Sequence, residues 1–185
     1  VPSEQLPPLK IGDSFVSPST EARNLGVVFD SSLQMRTHIN NICRAGWAFI
    51  YKIGKIRSYL DKQSTEKLVH AFISSRIDSA NSLLIRLPDC DINRLQRLQN
   101  AAARLVCLRK RHESITPILQ QLHCLTVSNS IAYKILLITF KTIHRLSPRY
   151  LQGLITLYTP SRHLHSSSQT LLQHASPPPR TSSYG

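Results

Sequence analysis

The sequence predicts a mainly α-helical protein, with a short N-terminal β-hairpin, a bundle of about five helices and a disordered C-terminal tail. Three observations carry this. After Asp30 the apolar residues change from an alternating to a helical period and keep it to about residue 147. Leu87-Pro88-Asp89 and Ser147-Pro148 interrupt that pattern where helices must stop. From Thr159 onward Ser, Pro, His and Gln dominate, a composition that buries too little surface to order a chain.

The hairpin is expected to pair Leu9–Val16 with Asn24–Phe29 across the turn-like SPSTEA. Gly26 then lies inside the second strand, where a glycine marks a bulge or a close approach by a ligand or another backbone. Asp30 is placed to cap the turn into the first helix. That helix, about 34–58, puts Ile39, Ile42, Cys43, Phe49, Ile50, Ile53 and Ile56 on one arc. Arg44, Tyr51, Lys52, Lys55 and Tyr59 take the opposite one.

Asp61 or Ser64 caps a second helix over 62–79 with Leu68, Val69, Phe72, Ile73 and Ile77 on its apolar side. A third runs from Ile92 to about Lys110, with Asp89 as a candidate cap. Its core stripe is Leu95, Leu98, Ala102, Leu105 and Val106, and Arg94, Arg97, Arg104 and Arg111 form an adjacent basic arc if the helix reaches residue 111. Pro117 opens a short helix over 116–122. Ser128 or Asn129 caps a helix over 129–147 that is apolar almost all round and reads as packed core, and residues 149–157 add a further turn or two.

The charge is lopsided: 23 Lys+Arg against 10 Asp+Glu, a net +13. No carboxylate follows Glu113. This balance points to an anionic partner, and basic arcs beside tyrosines suit phosphate contact with stacking. Solvated charged faces are common on soluble helices, but here few acidic residues interleave to neutralise them. No apolar run reaches membrane-spanning length, and VPSEQLPPLK has no signal-peptide core.

Catalytic machinery is not legible. The sequence holds no adjacent Asp-Asp pair of the kind that two-metal polymerases use, no Gly-x-Ser-x-Gly elbow and no phosphate-binding glycine loop. Capping explains Asp89 and Asp91 better than a metal does. Cys43, Cys90, Cys107 and Cys124 are widely spaced and read as small buried hydrophobes of a reducing compartment, so the chain is expected to be intracellular. Cys107, His112, His123 and Cys124 match no compact zinc pattern. No catalytic residue, metal ligand or cofactor is assigned.

The succession FVSPSTEARNLGVVFDSSL, HINNICRAG, LVHAFISSRIDSANSLLIRLP, LQRLQNAAARLV, ITPILQQLHCLTV, YKILLITFKTIHRLSPRYL and YTPSRHLHSSS resembles the segment that follows the polymerase palm in reverse transcriptases of LINE-type (non-LTR, jockey-like) retrotransposons. The resemblance covers about Leu9 to Ser168, and its specificity lies in the order and spacing of the pieces. It implies that residues 1–30 end the palm with a primer-grip hairpin, in which Asn24, Leu25 and Gly26 hold the primer end. It further implies a thumb-like helical region over 31–112, a C-terminal helical region over 113–158 and a disordered tail over 159–185.

Such a thumb contacts RNA or an RNA–DNA hybrid through backbone and shape. The expected nucleic-acid-binding residues are therefore Asn24, Leu25, Gly26, Arg44, Lys52, Lys55, Arg94, Arg97, Arg104 and Arg111. The family's Phe/Tyr-Ala-Asp-Asp box and the Mg2+ it holds are expected upstream of residue 1, with the fingers, so this piece is expected to bind without catalysing. Two departures stand out: Ile77-Asp78-Ser79-Ala80-Asn81 where relatives tend to have Ile-Asp-Tyr-Cys-Asn, and Leu122-His123-Cys124-Leu125-Thr126-Val127 where they tend to have Leu-His-Trp-Leu-Pro-Val. The rival readings are a helical protein-interaction module and a relic of a degenerate element without function.

Overall fold

Glycine turns make two hairpins at the N-terminus rather than one. The computed structural model describes residues 7–158 and 171–173. Strand β1 (Leu9–Ile11) pairs antiparallel with β2 (Ser14–Val16), and β3 (Glu21–Asn24) with β4 (Val27–Asp30). The expected pairing of 9–16 with 24–29 is thus corrected: each arm folds on itself. Gly12 enters the first turn at φ +60°, and Leu25 and Gly26 sit at φ +47° and +85° in the second. Positive φ at both central residues is the hairpin turn whose twist matches its strands. Gly26 is therefore a turn residue and not a strand interior; no other described atom lies within 4 Å of where its Cβ would stand.

Only the second hairpin is anchored. Val27 is buried, and Val28 N–H makes a long bond of 3.5 Å to Nδ1 of buried His38, whereas every residue of β1 and β2 is exposed. Asp30 caps the exit as expected: Ser32 N–H and Gln34 N–H donate to its Oδ1 at 3.1 and 2.9 Å. These donors hold its carboxyl below the usual carboxylate range.

Helix α1 (Arg36–Ile56) buries Ile39, Ile42, Cys43 and Ile53, while Ile56 turns outward. A tight turn over Arg57–Tyr59 leads to α2 (Lys62–Val69), whose cap is Asp61, with Ser64 N–H donating to its Oδ1 at 3.2 Å. The helix then widens for one π-turn (His70–Ser74) before closing as α3 (Ser75–Asp78). Helix α4 (Asp89–Cys107) starts directly after Pro88, three residues earlier than expected. It also ends earlier, where Leu108 turns left-handed and the N–H groups of Leu108 and Arg109 fold back on the Arg104 carbonyl.

Helices α1 and α4 run parallel and in contact. Asn40 meets Arg94, Gly46 meets Leu98, and Arg57 reaches the Leu105 and Val106 carbonyls, so residue numbers rise together along both. Their inner sides meet α2, the π-turn and α3, which contribute buried Val69, Ile73 and Ile77 to one core with Leu95, Leu98, Ala102 and Val106. Helix α5 (Thr116–Gln121), with Pro117 in its first turn, adds Ile118 and Leu119 against Ala103.

The pair packs tightly at Gly46. A Cβ there would stand 2.5 Å from Cδ2 and 2.9 Å from Cδ1 of fully buried Leu98, which has nowhere to swing. Gly46→Val therefore lowers stability by about 2 kcal/mol despite its better helix propensity. The urea midpoint measures this, and an unchanged midpoint refutes the close approach.

Burial holds the His38 imidazole below its ordinary pKa of 6.5. The unfolded chain therefore takes up this proton first, so stability contributed by the neutral ring is complete above pH 6.5 and declines as pH falls toward the lowered folded value. Urea midpoints measured from about pH 7 down to about pH 5 are expected to fall, and to fall less steeply in His38→Asn.

Helix α6 (Val127–Ile143) begins two residues before the expected start and is capped by Thr126, whose Oγ1 accepts from Asn129 N–H at 3.3 Å. Val127 and Ile131 are buried, but Tyr133, Leu136, Ile138 and Phe140 are exposed, correcting the expectation of a helix packed all round. The chain divides into two units at Lys134/Ile135, within this helix. The second unit holds the rest of α6, a short α7 (Arg149–Gln152) and a bridge between Leu157 and Leu172. Except for residues 171–173, the tail expected to be disordered lies outside the described residues. Among the described residues no helix is long and apolar enough to cross a membrane.

Candidate nucleic-acid interface

The outer side of the α1–α4 pair collects the basic residues. Both helices turn their apolar stripes toward the layer made by α2, the π-turn and α3, so their opposite faces look out on one common side. On α1 that face carries Arg44, Tyr51 and Lys55, all exposed and within an arc of about 40° at 100° per residue. On α4 it carries exposed Arg97 and half-buried Arg104. No carboxylate occurs anywhere in α1, and in α4 the two acids, Asp89 and Asp91, stand in the first turn. The face is thus cationic without local compensation.

Two of the expected arginines do internal work. Arg94 donates to Asp91 Oδ1 at 3.3 Å and to Asn40 Oδ1 at 2.6 Å, tying the N-terminal half of α1 to α4. Arg104 donates to the Glu113 carbonyl at 3.2 Å, and its Nε is buried without a partner. Arg111 is exposed but lies in the loop after Leu108, off the α4 stripe because the helix has already ended. In that loop Glu113 accepts from Lys110 N–H at 2.7 Å and pairs with Arg109 at 3.2 Å, which together keep its carboxyl below the usual range.

Lys52 sits at the edge of the α1 face, its Nζ 5.7 Å from the Phe49 ring centroid. Phe49 stacks on Phe72 at 4.6 Å, and the Arg76 guanidinium lies 5.6 Å from the same ring. Asn24, Leu25 and Gly26 form the tip of the second hairpin. Leu25 is 95% exposed in a left-handed conformation that costs a non-glycine residue about 1–2 kcal/mol.

Sequence reasoning missed Trp47 and Arg57. Trp47 lies one turn from both Arg44 and Tyr51, and that spacing was the available signal. Arg57 had none: buried between α1 and α4, its guanidinium donates to the carbonyls of Leu105, Leu60 and Val106 at 3.0, 2.7 and 2.9 Å.

Elsewhere, a cleft of about 400 Å3 opens beside the π-turn. It is lined by Glu66 and Asp78 among mainly apolar residues, with no lysine or arginine, which makes it unsuited to phosphate. Burial pushes the Cys43 and Cys124 thiols up, leaving neither activated as a nucleophile. Among the described residues no three His, Cys, Asp or Glu side chains gather as a metal site. No protein-family model, curated protein or solved structure matches this chain.

Proposed function

We propose that the outer α1–α4 face grips the sugar–phosphate backbone of RNA or of an RNA–DNA hybrid, and that the chain is a non-catalytic piece of a LINE-type reverse transcriptase comprising primer-grip turn and thumb. The observation that carries this reading is the parallel register of α1 and α4, which turns Arg44, Lys55 and Arg97 outward on one side with no carboxylate among them. Backbone recognition asks for this kind of surface, cations on rigid helices and no base-reading groups. The ordered family-like segments support the assignment to a polymerase thumb. With no adjacent Asp-Asp pair in the sequence, the role is grip and not phosphoryl transfer.

Titration of the chain with an RNA–DNA hybrid at several salt concentrations tests the proposal. Affinity is expected to fall steeply as salt rises, because each phosphate contact releases counterions. Affinity that is indifferent to salt refutes it.

One observation favours a second reading. Tyr133, Leu136 and Phe140 along α6, and Leu9, Ile11 and Phe15 on the first hairpin, leave large apolar side chains exposed, as a protein-interaction module does. A partner retained at high salt, with no hybrid binding, would select it.

A further inference from the structure

We propose that Trp47 and Tyr51 form a stacking platform for an unpaired nucleic-acid strand, so that the basic face prefers a duplex carrying a single-stranded extension over a blunt one. This rests on the reading of that face as a nucleic-acid interface and adds the form of nucleic acid it selects. Arg44, Trp47, Tyr51 and Lys55 follow one another at spacings of three or four residues, which places them in a single strip along the outer side of α1.

Within that strip, two exposed aromatic rings stand next to each other with a cation at either end. Trp47 is 45% exposed and Tyr51 64%. Lys55 Nζ stands 4.5 Å from the Tyr51 ring centroid. The two rings are about 6 Å apart along the axis, one helical turn.

A blunt duplex offers such rings little, because its base faces are already stacked on each other along its length. An unpaired strand presents free base faces beside its phosphates, and a pair of aromatic rings flanked by cations matches both at once. The cations alone would serve either form. The aromatics separate them.

Trp47 is the only tryptophan of the chain, so its fluorescence reports on this strip alone. The full chain is titrated at constant salt with a single-stranded oligouridylate, a blunt RNA–DNA hybrid, and the same hybrid with a single-stranded extension. Single strand and extended hybrid are expected to quench Trp47, and the extension to raise affinity by about tenfold. Trp47→Leu and Tyr51→Ala, followed by anisotropy of a labelled strand, should each cost the extended hybrid most of that tenfold gain and the blunt hybrid markedly less, with the salt dependence of both still in place. Circular dichroism melts establish that both exposed-site variants remain folded.

Equal affinity for blunt and extended hybrids, absence of quenching on binding, or equal losses for both ligands in the variants overturns the platform. If blunt hybrid still binds with its salt dependence in those cases, the backbone-gripping face stands. If no nucleic acid binds at low salt, both fall together.

Discussion

Reversing two charges, Arg44→Glu together with Arg97→Glu, is expected to lower affinity for an RNA–DNA hybrid by about a hundredfold at about 0.1 M salt and to reduce the salt slope by about two. Each cation opposite a phosphate releases counterions with a slope near −0.9, which at about 0.1 M is roughly a factor of ten per contact. The two arginines are the right ones to change because they do no structural work. The ion pairs among the described residues, Arg94–Asp91 and Arg109–Glu113, involve neither, and both side chains are exposed. Reversing Arg94 or Arg104 instead would remove bonds to Asn40 or Glu113 and confuse binding with folding. Lys62→Glu with Lys67→Glu, on α2 in the other layer, changes net charge equally and should leave affinity nearly intact. Equal losses from the two pairs would show that affinity follows net charge and not this face.

Helix positions were legible because period and punctuation are local. The apolar stripe over 39–53, Asp61 as a cap and Pro117 in a first turn all need only neighbouring residues, and the structure has each of them. The hairpins were misread for a related reason. An apolar residue before Gly26 looks like a strand, and only the pairing Asn24↔Val27 shows that Leu25 accepts a left-handed turn conformation. The π-turn at His70–Ser74 leaves no mark on the period that a sequence could display.

The basic face lay further out of reach. Each helix by itself showed an arginine or lysine arc. Whether two arcs share a side depends on which helices are neighbours and in which direction they run, and that is set by a long-range fit such as Gly46 against Leu98. The same fit divides the arginines into free and engaged. A stripe counts Arg94, Arg97 and Arg104 alike, but only Arg97 reaches solvent without a protein partner among the described residues.

Arg57 shows the opposite case, a basic residue in a strongly basic chain whose work is entirely internal. The residue is 9% exposed, and its guanidinium donates to three carbonyls, two of them at the C-terminal end of α4 and one, of Leu60, at the end of the link to α2. Helix ends leave carbonyls without intrahelical partners, and burying them unpaired is costly. Arg57→Met keeps most of the side-chain volume and removes the donors, so it isolates this contribution. Stability is expected to fall by about 3 kcal/mol, a large share of what a small domain has. Arg57→Lys should recover only part, because one ammonium cannot present the planar fork that reaches three acceptors. Urea unfolding measures both, and a loss under about 0.5 kcal/mol for Arg57→Met would refute the role. Because Arg57 is buried and its donors are engaged internally, hybrid binding by Arg57→Met should decline only in proportion to the folded fraction, whereas the Arg44/Arg97 reversal lowers affinity about a hundredfold in a chain that melts like the parent.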